Sequence, residues 1–292
     1  MIVRRLVRTK KYPWLKQRLP SGTEHENVKD LLNSLRLHTV CQEAQCPNLW
    51  ECFSKKTATF MIMGSRCTRN CGFCAVSQGP SGPPDPNEPD RVAEAVHNLR
   101  LNYAVITSVT RDDFPDGGAS LFARTVKAIR RKTPDVRIEV LIPDFQGSKN
   151  ALKAVVDSRP DVLNHNVETV PRLYDTVRPG AVYRRSIDLL KQAKTCDPNI
   201  ITKSGIMLGL GESLKEINET LLDLLGTGCK LLTLGQYLQP SAAHLPVARY
   251  VPPEEFDRRR EAALEMGFTE VASGPFVRSS YQAQKLYGAV SI

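Results

Sequence analysis

Short apolar runs alternate along this chain with longer stretches in which hydrophobic residues recur every three or four positions. Residues 58–64 (ATFMIMG), 103–109 (YAVITSV), 137–142 (RIEVLI), 162–167 (VLNHNV), 201–208 (ITKSGIML) and 231–238 (LLTLGQYL) are short and apolar, and most carry β-branched side chains. Buried strands read this way. Helical periodicity fills 89–99, 118–132, 148–157, 183–195 and 213–225. Ser148 and Ser213 stand as N-caps, the second with Glu216 three residues on as a capping box. Strands separated by helices pair in parallel through right-handed crossovers. Six such units predict an α/β fold, a partial (β/α)6 TIM-type barrel rather than a complete eight-fold one.

Residues 1–55 break this rhythm, with one helix near 26–37 followed by a loop carrying three cysteines. Residues 77–89 (SQGPSGPPDPNEP) are too rich in proline and glycine for regular structure and form a connector. After 238 the chain is irregular again until a helix over 253–266. The organisation expected is an N-terminal extension (1–55), a barrel (56–250) and a C-terminal extension (251–292). No apolar run approaches the roughly 18 residues of a membrane span. The basic opening has no apolar core or cleavage site, and too little chain precedes Tyr12-Pro-Trp-Leu-Lys16 for a transit peptide. A cytoplasmic protein is expected. The net charge of +9 includes runs at Arg4 and Arg5, Lys10 and Lys11, 130–132 (RRK) and 258–260 (RRR). Such an excess is either a solvated surface or a field that steers in an acidic partner. Charge alone does not choose between nucleic acid and an acidic carrier protein.

Eight cysteines change the picture. In a cytoplasmic chain they are more readily metal ligands than disulfides. Cys41, Cys46 and Cys52 read C-x₄-C-x₅-C, while Cys67, Cys71 and Cys74 read C-x₃-C-x₂-C. Two triplets so close together point to neighbouring metal centres, each with one position its triplet leaves open. Soft thiolates suit iron–sulfur clusters. Structural zinc wants four ligands, usually two C-x₂-C pairs, and here only Cys71 and Cys74 make one. His38 and His97 fall at no zinc-finger spacing. Cys196 and Cys229 read as small buried or semi-buried fillers. The second triplet begins just past the first strand, at the rim where barrels do their chemistry.

The segment Cys67-Thr-Arg-Asn-Cys71-Gly-Phe73-Cys74 closely resembles the cluster loop of the radical S-adenosylmethionine superfamily. The resemblance implies a [4Fe–4S] cluster whose open iron binds S-adenosylmethionine and generates a carbon radical, because unactivated C–H bonds resist acid–base chemistry. Asp116-Gly-Gly118 follows the second strand, where the superfamily places a loop touching the methionine amino group. Gly205-Ile-Met-Leu-Gly209-Leu-Gly-Glu212 is similar to its G-x-I-x-G-x-x-E stretch, with Met207 where isoleucine is usual. Each also reads as a tight turn. The cofactor contacts so implied are Phe73, Gly118, Asn166, Glu168 and Lys203, though Glu168 and Lys203 read equally well as charges paired with neighbours.

Cys41-Gln-Glu-Ala-Gln-Cys46-Pro-Asn-Leu-Trp-Glu-Cys52 resembles the auxiliary-cluster motif of the lipoyl synthase family, and the ending Gly274-Pro-Phe-Val-Arg278-Ser-Ser-Tyr281 is similar to that family's R-S-S-Y tail. The resemblance implies a second [4Fe–4S] cluster carried by the two extensions, with Ser280 as fourth ligand beside Cys41, Cys46 and Cys52, and Ser279 as the alternative. Arg278 binds substrate near that cluster or anchors the tail. The implied enzyme is a sulfurtransferase that inserts two sulfur atoms into an octanoyl chain on a carrier lysine. Its auxiliary cluster donates the sulfur, and two S-adenosylmethionine molecules are spent per product. Implied partners are the octanoylated lipoyl domains of 2-oxoacid dehydrogenases, the glycine-cleavage H protein and a ferredoxin- or flavodoxin-type electron donor. Nucleic acid and membrane are not expected, and a monomer is. His165 reads as a core histidine, and Gln42, Glu43 and Gln45 as loop solvation. The rivals are a biotin-synthase-type enzyme, which places auxiliary ligands within the barrel, and a zinc-bearing nucleic-acid module with steeply salt-dependent binding.

Overall fold

The computed structural model of the chain describes residues 12–16 and 23–290. The basic pairs at Arg4 and Arg5 and at Lys10 and Lys11, and most of the opening segment weighed as a leader, lie outside the described residues. One sheet holds eight strands whose spatial order follows the chain. They are β1 (His38–Thr39), β2 (Thr59–Ile62), β3 (Tyr103–Ser108), β4 (Arg137–Leu141), β5 (Val162–Asn164), β6 (Ile201–Leu208), β7 (Leu231–Gln236) and β8 (Glu270–Gly274). β2 through β8 are parallel, and β1 lies antiparallel to β2. Helices Glu88–Asn98, Ala119–Lys132, Lys149–Val156, Tyr183–Cys196 and Leu214–Leu225 fill the crossovers. Ser148 and Ser213 cap as expected, the latter in a full capping box with Glu216.

All six expected strands form. Two more strands of this sheet were not foreseen, nor was a separate two-stranded sheet in which Arg66–Cys67 pairs with Ser77–Gln78 at the start of the expected connector. Helix Pro253–Met266 returns the chain to β8, so the C-terminal segment adds a seventh parallel strand. Its sequence, EVASG, has a single β-branched apolar residue and gives almost no strand signal. It pairs because β7 presents an open backbone edge whose N–H and C=O groups need partners. The apolar core runs without a break from Val28 to Val271. Among the described residues no helix is long and apolar enough to cross a membrane.

The barrel interior is layered. Helix Ala283–Gly288 closes its base, where Ala283, Leu286 and Tyr287 pack on Tyr103, Val105, Val162 and Leu231 near the N-terminal ends of the strands. Above that plug, Lys203 Nζ sits 2.9 and 3.1 Å from the two oxygens of Glu139. Tyr103 Oη and Asn164 Nδ2 each donate to the same carboxylate at 2.8 Å. Lys203, Glu139 and Asn164 expose 0% of their surface. Removing one member of such a buried pair strands the other charge. Urea unfolding of Lys203→Met should therefore show a loss of roughly 3–5 kcal/mol, and the double variant Lys203→Met/Glu139→Leu should regain most of it.

Candidate active site

A cavity of about 500 Å³ opens above the C-terminal ends of the strands, and all six triplet cysteines line it. The second triplet hangs from the loop after β2, and that loop is clamped. Arg69 within it bonds Asp112 (2.6 and 2.9 Å) and Asp144 (2.6 Å), and Arg185 reaches Asp144 from the other side at 3.1 Å. Gly72 donates to Val177 O, and its carbonyl accepts from Leu245 N. A Cβ there would come within 2.8 Å of the Leu245 side chain, so only glycine lets the loop lie this low. The backbone N–H of Thr110 donates to Cys67 Sγ at 3.3 Å.

The first triplet is not in a loop. Cys41 sits on helix Val40–Glu43 and Cys52 on helix Leu49–Ser54. Thr39 Oγ1 accepts from Gln42 N and starts the first of these turns. Asn48, at the head of the second, donates through Nδ2 to Phe276 O at 2.7 Å. That bond ties the cysteine segment to the tail. Residues 277–281 of the tail line the same cavity. The tail passes so close to β7 that a Cβ on Gly235 would lie 2.1 Å from Val277 O.

Electrostatics divide the six thiols into two groups. Cys52 feels Cys41 and Cys46, while Cys74 feels Cys71 and Cys67. Burial pushes Cys41 up to about 11 and both Cys52 and Cys74 to about 12. Buried thiols become thiolates readily only when a metal takes the place of the lost water. Among the described residues no three His, Cys, Asp or Glu group so as to hold a single ion. Thiols spread around a space suit a cluster better than a lone zinc. Between the groups stand Glu168 and Arg278. Arg278 faces Cys46 and Glu168, and Glu168 faces Cys71 and Cys74. Burial raises the Glu168 carboxyl and lowers the Arg278 guanidinium. Glu168 is also held at φ +65°, a conformation that costs a non-glycine residue energy and clusters at functional sites.

Phe73, Asn166, Glu168, Arg278, Ser279 and Ser280 all line the cavity. Gly118 and Lys203 do not. The Lys203 ammonium is committed to Glu139 in the floor, so the reading in which it pairs with a neighbour holds and that of a cofactor contact is corrected. Gly118 begins helix Ala119–Lys132 at φ +88°, and a Cβ on it would strike Met63 Sδ at 2.1 Å. It is a packing and capping glycine. In the same way, Glu212 caps the N–H groups of Gly209 and Leu210 at 2.6 and 2.9 Å. Gln45 is exposed, as expected, at a position that also borders the cavity, and Cys196 is exposed rather than buried. Cys229 is buried. Arg178 was missed: it lines the cavity, faces Cys71 and Glu168, and donates to Asn166 O at 2.8 Å. No spacing in the irregular sequence around it marks it out.

Comparisons with known proteins agree with this geometry. The description "Radical SAM superfamily" matches residues 61–224. The SuiB enzyme of Streptococcus suis, solved with its precursor peptide, superposes with a TM-score of 0.59 at 12% identity, over 77% of this chain and 50% of that one. Methylornithine synthase gives 0.52 at 13% identity, over 80% and 68%. At such identities the likeness is one of fold. The fold and family match define a radical S-adenosylmethionine enzyme that binds that cofactor and a [4Fe–4S] cluster. The description "N-terminal domain of lipoyl synthase of Radical_SAM family" matches residues 3–46. The lipoyl synthase of Desulfotalea psychrophila is 58% identical over 96% of this chain and 94% of its own length. That of Rubrobacter xylanophilus is 56% identical over 93% and 85%. The chain belongs to the lipoyl synthase family and has lipoyl synthase function.

His165 gives this site a measurable pH dependence. Its Nδ1 bonds Ile142 O at 2.8 Å and its Nε2 bonds Ser186 Oγ at 2.9 Å, so the neutral ring is satisfied where it is buried. Burial, with Arg178 adding to it, holds its pKa at about 4. The stabilising contribution is complete above the unfolded value near 6.5 and is lost as pH falls toward 4. Between those limits the wild type should lose roughly 3 kcal/mol more than His165→Gln in urea unfolding. Equal slopes for the two would remove the assignment.

Proposed function

We propose that this cavity holds two [4Fe–4S] clusters, and that it inserts two sulfur atoms into the octanoyl chain of an octanoyl-lysyl carrier. The observation that carries the reading is the meeting of two separate thiol triplets in one cavity, with the serine-bearing tail forming part of its wall. Cys67, Cys71 and Cys74 would hold the radical-generating cluster, and Cys41, Cys46, Cys52 and Ser280 the sulfur-donating one. Ser280 is favoured over Ser279 because the Ser279 hydroxyl is engaged by Asn164 and Asn166, at 2.7 and 3.0 Å. When bound, two S-adenosylmethionine molecules and the clusters supply the hydrogen-abstracting carbon radicals and the sulfide that replaces each hydrogen.

The protein's own residues orient and shield. Phe73 would meet the adenine through its backbone, and Asn166 and Glu168 would contact the rest of S-adenosylmethionine. Arg178 gives that wall a positive charge to meet a carboxylate, and the Glu168 carboxyl, which burial pushes up, gives it a hydrogen-bonding group to meet an ammonium. Arg278 balances charge near the first triplet and faces the incoming acyl chain. The acceptors would be lipoyl domains of 2-oxoacid dehydrogenases and the glycine-cleavage H protein, with a ferredoxin or flavodoxin as reductant. The +9 charge favours acidic partners of this kind.

Anaerobic incubation with an octanoyl-lysyl peptide, dithionite and S-adenosylmethionine should add two sulfurs and remove two hydrogens, as read by mass spectrometry. Cys71→Ala should abolish both 5′-deoxyadenosine and product. Cys46→Ala should still release 5′-deoxyadenosine yet form no dithiolane, and full product from it would end the donor assignment.

A further inference from the structure

The tail is gripped on both sides of one open hydroxyl. Toward the first triplet, Asn48 Nδ2 donates to Phe276 O at 2.7 Å, and Tyr281 Oη donates to Glu51 at 3.1 and 3.2 Å. Toward the barrel, Ser279 Oγ accepts from Asn164 Nδ2 at 2.7 Å and donates to Asn166 Oδ1 at 3.0 Å. Asn164 is the junction, since its Nδ2 also donates to Glu139 Oε1 at 2.8 Å. Glu139 is in turn fixed by Lys203. Ser280 lines the cavity, and its hydroxyl makes no hydrogen bond among the described residues.

We propose that Ser279 and Asn164 are positioning residues for the sulfur-insertion step, setting where Ser280 meets the auxiliary cluster. The inference rests on the reading of Ser280 as a ligand. An alkoxide or hydroxyl oxygen is a harder and poorer match to iron–sulfur than thiolate. It holds iron only if little conformational freedom remains to be lost when the bond forms. An anchor one residue away removes that freedom beforehand and keeps Ser280 within reach after it lets go, so that one bond is exchanged rather than a whole segment. The amide at position 164 is chemically dictated. Glu139 accepts only, so Nδ2 must face it, and the second Nδ2 hydrogen is then aimed at Ser279. The buried charge layer thus orients a donor toward the tail.

The test combines Mössbauer spectroscopy of holoenzyme rebuilt with iron-57 and the ratio of dithiolane product to 5′-deoxyadenosine. The variants are Ser280→Ala, Ser279→Ala, Ser279→Thr and Asn164→Leu. Ser280→Ala should remove the signal of the oxygen-ligated iron. In Ser279→Ala and Asn164→Leu that signal should weaken and the product ratio fall roughly tenfold, the weight of one to two buried hydrogen bonds. Release of 5′-deoxyadenosine should change by less than about twofold in both. Ser279→Thr, which keeps the hydroxyl, should restore signal and ratio. If Ser280→Ala leaves the spectrum unchanged, the ligand reading fails and the positioning role goes with it. If Ser280→Ala changes the spectrum but Ser279→Ala does not, the ligand reading stands and the positioning role is overturned. A proportional loss of 5′-deoxyadenosine and product in Ser279→Ala, the less disruptive variant, also overturns it.

Discussion

The Lys203 ammonium and the Glu139 carboxylate are both cut off from water, and neither charge persists there without the other. Withdrawing an ion from water costs several kcal/mol even after relaxation, and attraction offsets this only when the remaining lone pairs are also satisfied. Tyr103 and Asn164 satisfy them. The four residues come from β3, β4, β5 and β6, so four consecutive strands meet at one carboxylate. Such a junction fixes the strands' relative heights more sharply than apolar side chains, which tolerate sliding. Below it the closing helix finds a flat apolar seat. Above it the tail finds directed hydrogen-bond groups. The depth of the cavity follows from the height of this floor.

Above the floor the chain solves a different problem. Cys41, Cys46, Cys52, Cys71 and Cys74 have lost much of the water that would stabilise their ionised form, and burial drives their pKa values up. Left alone, such a wall is chemically idle. Metal binding reverses the preference, because coordination replaces solvation. The second triplet is held by backbone hydrogen bonds and an arginine–aspartate clamp. The first rides on two short helices tied to the tail by Asn48 and Glu51. It rests on a segment distant in sequence.

Much of this was legible in the sequence because it is local. Six strands announced themselves as short, largely apolar and mostly β-branched runs, and both triplets as fixed spacings. β8 did not, because its pairing depends on an edge supplied by β7 rather than on its own residues. Lys203 and Gly118 lie on elements that border the cavity, but a position in a sequence gives no depth along a barrel axis. Lys203 falls early in β6, in the floor, and Gly118 packs against Met63. Arg178 emerges only when its irregular segment folds back over β5. The family resemblance already placed Ser280 ahead of Ser279 by position; that the Ser279 hydroxyl has partners is something only assembled neighbours reveal.

Asn48 and Phe276, which join the first cysteine segment to the tail, are 228 positions apart in the chain. Chains are made from the N-terminus forward, and their early parts begin to fold while later parts are still being synthesised. The first three cysteines therefore leave the ribosome long before the wall opposite them exists. During that interval their pocket is open on one side, and the base of the barrel lacks its closing helix. The wall opposite those cysteines forms only when the tail segment reaches Asn48, so the complete pocket is a late product of folding. A nascent or prematurely terminated chain would present exposed thiols to the cell without the shelter that makes them useful.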